Sequence, residues 1–307
     1  MAGDQGFGGA PRGLEKKVAR GGRHGGPIQG LLLASGLLLA GAAPPVTAAP
    51  PACRASPTPG YRVLDRYPHD RDAFTQGLAF HQGALYESTG LYGRSTLRRI
   101  ELGSGRVTDS RRLDGALFGE GLTRLGTRLV QLTWKAGVAL LYRLDGLRPA
   151  GRFRFRGEGW GLTRLGDRLV LSDGSARLRF IDADGFGAAG TLRVTDAGRP
   201  VAGLNELETV DGLIYANVYP GDCIARIDPA SGRVLGWLDL GGLLPLAERR
   251  SSASVANGIA WDAASRSLFV TGKHWPYIYR LDIDDDGFAG GDPPRLREPP
   301  GGGEDHA

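Results

Sequence analysis

One short phrase returns five times along this chain, with the residue at its centre varying from copy to copy among Gln, Glu, Trp and Asn. It is clearest as Phe74-Thr75-Gln76-Gly77-Leu78, as Phe118-Gly119-Glu120-Gly121-Leu122-Thr123 and as Glu158-Gly159-Trp160-Gly161-Leu162-Thr163. Looser copies follow at Leu204-Asn205-Glu206-Leu207-Glu208 and Ala256-Asn257-Gly258-Ile259-Ala260. The copies recur every 40 to 50 residues or so, the interval expected of successive β-propeller blades. A repeat unit of that size cannot bury its apolar face alone and must stack against its neighbours. A phrase that keeps its scaffold and varies one position therefore predicts a ring of blades pointing different side chains at a common centre.

Short alternating runs separated by turn residues follow each copy, as expected of strands. The second unit has Arg128 to Trp134 and then Val138 to Leu144, and the third Arg168 to Asp173 and then Leu178 to Asp182. The fourth has Leu213 to Tyr219 and then Ile224 to Asp228, and the fifth Ser267 to Lys273 and then Tyr277 to Asp282. One more strand after most hairpins makes four per blade. The expectation is an all-β, five-bladed propeller of four-stranded antiparallel blades. Its last blade lacks an outer strand, which Tyr61 to Tyr67 can supply, closing the ring with the N-terminal strand and removing an exposed edge. A short helix is expected around Leu243 to Arg250. Asp282, Asp284, Asp286 and Gly287 imitate the start of a calcium loop, but Pro293 stands where its last acidic ligand belongs, so a solvated acidic turn is expected.

The propeller is expected over residues 53–284. Residues 1–52 read as a basic leader, an apolar segment (Ile28 to Ala43) and a Pro/Ala linker. The apolar run is short for a membrane span, which needs about 20 residues. With small residues at Val46-Thr47-Ala48, that order predicts a signal peptide and export to the periplasm or outside the cell. The rival is an uncleaved anchor, the one route by which a membrane enters the expectations; Pro50 argues against a lipoprotein at Cys53. Residues 285–307 are Gly- and Pro-rich and expected to be disordered. The formal net charge of +5 is in good part the leader's, so the body has no basic patch implying nucleic acid. Lys135 and Lys273 are the only lysines after the leader. The two cysteines, Cys53 and Cys223, leave two readings open: one disulfide in an exported protein, or a loose thiol and a buried small hydrophobe.

Six motifs in order add a family. The three phrases at Gln76, Glu120 and Asn205 belong to it, with Leu132-Thr133-Trp134-Lys135, Asn217-Val218-Tyr219 ahead of Asp222 to Asp228, and Gly272-Lys273-His274-Trp275. Over residues 61 to 283 the chain resembles the plant and bacterial type of glutaminyl-peptide cyclotransferase, a five-bladed propeller. The resemblance implies an acyltransferase that converts N-terminal glutaminyl residues of peptides to pyroglutamyl with release of ammonia. It implies no cofactor for catalysis, no catalytic metal, and at most a structural ion in the central channel. A monomer acting on peptide or protein substrates is expected.

The reaction joins the substrate's α-amine to its own side-chain carboxamide. An enzyme must fold the glutamine back on itself, move one proton and stabilise the oxyanion, and alignment alone supplies several kcal/mol of the barrier. Glu120 is the expected proton shuttle, and Lys273 the group that holds it ionised or polarises the amide oxygen. Gln76 and Asn205 are expected to hydrogen-bond the substrate. Phe74, Trp134 and Trp160 are expected to form an aromatic wall, joined by Tyr219 where plant relatives carry tryptophan. Glu206 and Glu208 are expected to serve blade structure or contact an ion. Two other classes compete: a calcium-dependent lactonase-type propeller using Glu120, Asn205 and Glu206, and a non-enzymatic exported binding propeller.

Overall fold

A computed structural model describes Cys53 and residues 60–283. The leader, signal-peptide and linker expectations for 1–52, the acidic turn beyond Ile283 and the C-terminal tail lie outside the described residues.

Five four-stranded antiparallel sheets follow one another along the chain. Their first strands are Thr75–His81, Gly119–Leu125, Leu162–Leu165, Leu204–Val210 and Ala256–Asp262. These first strands carry the repeated phrase and border one another in cyclic order. In the first four blades, sheet order equals chain order, so each blade is a meander of hairpins. The fifth runs Ala256–Asp262, Ser267–Gly272 and Tyr277–Ile283, then takes Tyr61–Pro68 as its outer strand. That pairing is antiparallel, from Tyr61 opposite Ile283 to Pro68 opposite Tyr277.

The apolar core is divided among the five seams between neighbouring blades. Leu122 and Leu129 meet Tyr86 and Leu97 between blades one and two; Leu162 and Leu169 meet Leu132 and Leu141 between two and three. Val170 and Leu178 pack on Leu204 and Ile214, Ile224 and Leu238 on Ile259 and Leu268. The seam of the fifth and first blades holds Leu78, Leu85, Phe269 and Ile278, with Phe80 stacked on Phe269 at 5.1 Å between centroids. Each such side chain contributes about 1.5–3 kcal/mol when fully buried. With the core in the seams, the axis is left to polar groups.

Two local results refine the sequence reading. Cys53 and Cys223 form a disulfide, tying the residue before the ring to the third strand of blade four. The helix expected over Leu243 to Arg250 is a single 3₁₀ turn, Leu246–Glu248. Pro245, extended at ψ 142°, sets the start, because a proline biases the residue before it away from helix.

Candidate active site

In four of the five phrases the variable residue sits where its inner strand slips register against the next strand. The slips fall between Thr75 and Gly77, Gly119 and Leu122, Leu204 and Leu207, and Ala256 and Ile259. A bulge leaves one residue unpaired and re-aims its side chain. Gln76, Glu120, Asn205 and Asn257 occupy these slips. In blade three the regular strand starts after the phrase, and Trp160 is held by its amide on the Ser172 carbonyl at 2.9 Å.

Glycine after the variable residue lets the inner strands approach at the axis. A Cβ on Gly77 would stand 2.5 Å from the Leu122 amide nitrogen, and one on Gly161 would stand 1.9 Å from the Asn205 carbonyl oxygen. Blade four places Glu206 there instead. Its two oxygens accept the amides of Leu78 (3.3 Å) and Ile259 (2.9 Å), stitching blade four to blades one and five. Glu208 accepts the Trp261 amide at 3.0 Å. Burial, with Glu208 close by, pushes the Glu206 carboxyl well up despite those amides; burial takes Glu208 to about 8.

Glu120 is 4% exposed on the channel floor. Its Oε1 accepts the Gln76 amide at 3.2 Å, and Gln76 in turn accepts the Asn257 amide at 2.9 Å, a chain across blades five, one and two. Burial lifts the Glu120 carboxyl well above the usual range; Lys273 opposes the rise and Glu158 adds to it. Lys273, 5% exposed, is brought down to about 8 by burial, with Glu120 pulling the other way. The two act on each other through their fields, without a direct ion pair. Asn205, 3% exposed, keeps a buried Oδ1 with no hydrogen-bond partner.

Above this floor the half-buried Phe74, Phe118, Trp134 and Trp160 link with the exposed Tyr219 into a closed collar. Phe74 meets Phe118 edge-on at 6.2 Å, and Phe118 meets Trp134 at 5.4 Å. Trp134 and Trp160 both donate their indole N–H to one oxygen of Glu158, at 2.7 and 3.0 Å. Trp160 meets Tyr219 at 6.1 Å. The Lys273 ammonium closes the circuit, 4.8 Å from the Tyr219 ring centre and 5.1 Å from that of Phe74. Two charged groups, Glu158 and Lys273, are thus set into an aromatic ring.

All eight residues singled out in the sequence face this floor and collar: Phe74, Gln76, Glu120, Trp134, Trp160, Asn205, Tyr219 and Lys273. Sequence reasoning missed Phe118, Glu158 and Asn257. The signal was in the repeat itself: Phe118-Gly119-Glu120 aligns with Glu158-Gly159-Trp160, so acid and aromatic exchange places between blades two and three. Asn257 stood at the variable position of the fifth copy. Among the described residues no cluster of three His, Cys, Asp or Glu is placed to hold a metal ion.

A family model described as "Glutamine cyclotransferase" matches residues 33–283. A glutaminyl-peptide cyclotransferase of Arabidopsis thaliana is 42% identical over 233 residues, covering 72% of this chain and 70% of the plant protein. The crystal structure of Myxococcus xanthus glutaminyl cyclase superposes with a TM-score of 0.70 at 38% identity, covering 75% of this chain and 99% of that one.

Proposed function

The chain belongs to the glutamine cyclotransferase family, and we propose that its floor and collar cyclise N-terminal glutaminyl residues of peptides, with Glu120 moving the proton. The α-amine nitrogen forms a bond to the side-chain amide carbon, and the bond from that carbon to its NH₂ breaks. One proton leaves the amine and one arrives on the departing nitrogen, so ammonia is released and no water is consumed.

The observation that carries this reading is a buried carboxyl at the end of an amide chain, its pKa raised, with a lysine near but not paired to it. A buried carboxyl with a raised pKa holds a proton more tightly than a free one and can take a proton from the amine and return it to the leaving nitrogen; such a shuttle is worth about 10²–10⁴ in rate. Lys273, half deprotonated near pH 8, supplies positive charge where the amide oxygen becomes an oxyanion. Gln76 holds the Glu120 carboxyl in one orientation. The unpartnered Oδ1 of Asn205 is a desolvated acceptor left for a substrate N–H.

The collar encloses the folded glutamine side chain and excludes water. Glu158 fixes both indoles, because an ionised acceptor makes the stronger hydrogen bond. The enzyme acts as a monomer without a metal cofactor. It works in an exported compartment, a reading supported by the Cys53–Cys223 disulfide.

The test is ammonia release from a peptide beginning with glutamine, by the full chain, with and without chelator. Ammonia in both samples, with the peptide lighter by one ammonia, is the expected result. A folded protein that releases none overturns the proposal, and activity lost only in chelator overturns its metal-independent form.

A further inference from the structure

Blade one carries a second concavity on the side of the ring where the collar lies. It is a cleft of about 250 Å³ whose lining includes Gly90, Arg94, Arg98, Arg112, Asp70 and Asp72. Gly90 joins it to the active site: a Cβ there would stand 2.2 Å from the Phe118 ring and 3.1 Å from Gln76 Cγ. The loop from Gly90 to Arg94 forms the partition. At its crest Tyr92, 52% exposed, packs edge-on against Phe118 at 5.4 Å. The collar therefore continues outward over one exposed aromatic ledge, and the ledge leads into the cleft.

The cleft's charges are unevenly satisfied. Asp70 accepts Arg98 at 2.7 Å and the Asp72 amide at 2.8 Å. Asp72 is taken by Arg250 at 2.5 Å. Arg94 and Arg112 are exposed and line the same cleft, and neither makes an ion pair or side-chain hydrogen bond among the described residues. Both acids are spent and two guanidiniums are not, so the cleft presents positive charge and forked donors suited to a carboxylate.

We propose that this cleft is a substrate subsite, in which Arg94 and Arg112 receive a carboxylate carried downstream of the N-terminal glutamine while the peptide crosses Tyr92. It rests on the cyclase reading and names the class of peptide preferred: acidic beyond the first residue. The carboxylate comes from an Asp or Glu side chain, or from the C-terminus of a short peptide.

The experiment compares kcat/KM at low salt for C-terminally amidated Gln-Ala-Ala-Ala, its versions with Asp or Lys at positions two to four, and the free-acid parent. For the wild type, acidic peptides are expected to exceed lysine peptides by about three- to tenfold at the best position, carried in KM and shrinking as salt rises. In Arg94→Glu/Arg112→Glu the order inverts, while kcat for the neutral amidated peptide is unchanged. A preference for acidic side chains in amidated peptides identifies the side-chain source, and one confined to the free acid identifies the C-terminus. Equal kcat/KM for acidic and basic amidated peptides with no gain for the free-acid parent, or a preference that survives the double charge reversal, overturns the proposal. Failure of the cyclase reading is separate, since then the neutral amidated peptide itself releases no ammonia.

Discussion

Two buried glutamates in adjoining blades meet opposite fates. Glu87, fully buried, accepts Thr75 Oγ1 at 2.7 Å and His69 Nε2 at 2.9 Å, with Arg98 Nε 3.4 Å away. The other ring nitrogen of His69 faces the Trp275 carbonyl at 2.8 Å. A carbonyl and a carboxylate can only accept, so both nitrogens carry protons and the ring is an imidazolium. Burial acts to lower the His69 pKa, but the field and hydrogen bond of Glu87 offset it and the net shift is upward. Burial acts to raise Glu87, but His69, Arg98 and Thr75 bring it below its usual value. Glu120, nearly as buried, has one amide partner and no ion pair, and it rises. Desolvation is common to both; the partners decide whether a buried acid becomes a fixed charge or a movable proton.

The sharpest way to break this contrast is Glu120→Gln. Turnover is expected to fall by about 10²–10⁴ while the fold survives. Thermal stability at pH 7 is expected to rise. A carboxyl with a raised folded pKa destabilises the native state once pH exceeds its unfolded value, and the amide removes that cost. Retained kcat, or a lower melting temperature at pH 7, would contradict the assignment.

Glu87→Gln is the mirror experiment. It strands the buried imidazolium of His69 without its counter-charge and leaves Arg98 with Asp70 alone, and denaturant titration is expected to show a loss of about 3–5 kcal/mol. Activity per folded molecule stays near wild type. Glu87's contribution is present above its unfolded pKa and disappears as pH falls through the lowered folded value. The share due to His69 is full below its unfolded pKa and is lost as pH climbs through the raised folded value. Both limbs of the stability profile should therefore flatten in the variant. A large loss of turnover in the folded variant would instead place Glu87 in the catalytic machinery.

Replacing Lys273 with Met is expected to cost about 10- to 100-fold in kcat/KM, the worth of a hydrogen bond to a charged group. In the wild type, kcat/KM should climb between pH 6 and 8 as the substrate amine (unperturbed at about 7.7–8.0) loses its proton. The acid side of the profile also carries the deprotonation of Glu120, which burial raises. Above about 8 it should decline as Lys273 loses its charge. Lys273→Arg should move that alkaline limb upward; an unmoved limb would assign it to another group. The smallest effect belongs to Glu158→Gln. The amide oxygen still accepts the indoles, so the collar holds, but the charge that helps raise Glu120 is gone. The acid limb of the rate profile should shift to lower pH with kcat nearly unchanged.

Much of this was legible in the sequence because the repeat marks the axis. In four of the five copies its variable position lies in a register slip, and that position gave Gln76, Glu120 and Asn205, with Trp160 at the matching place in blade three. Lys273, Trp134 and Tyr219 lie outside the repeated phrase and came from the family's motifs. What escaped depends on partners far apart in the chain. Glu158 acquires its place from two indoles on different blades. The His69–Glu87–Arg98 cluster joins two strands and the residue just past a third, with nothing in their local patterns to announce a buried charge. The disulfide was one of two open readings, since neither cysteine's neighbours fix the distance between them.

The strand pairing of the fifth blade has a consequence for how the molecule is made. Tyr61 and Ile283 stand near opposite ends of the described residues yet are neighbours, so the ring's last seam belongs to contacts of large sequence separation. Such contacts repay their loop entropy late and slow folding. Blades one to four can form in order as the chain emerges, whereas Tyr61–Pro68 must wait, unpaired and edge-exposed, for the final strand to arrive. Lys273 of the proposed active site stands just ahead of that strand, so the site and the ring are completed in the same last step.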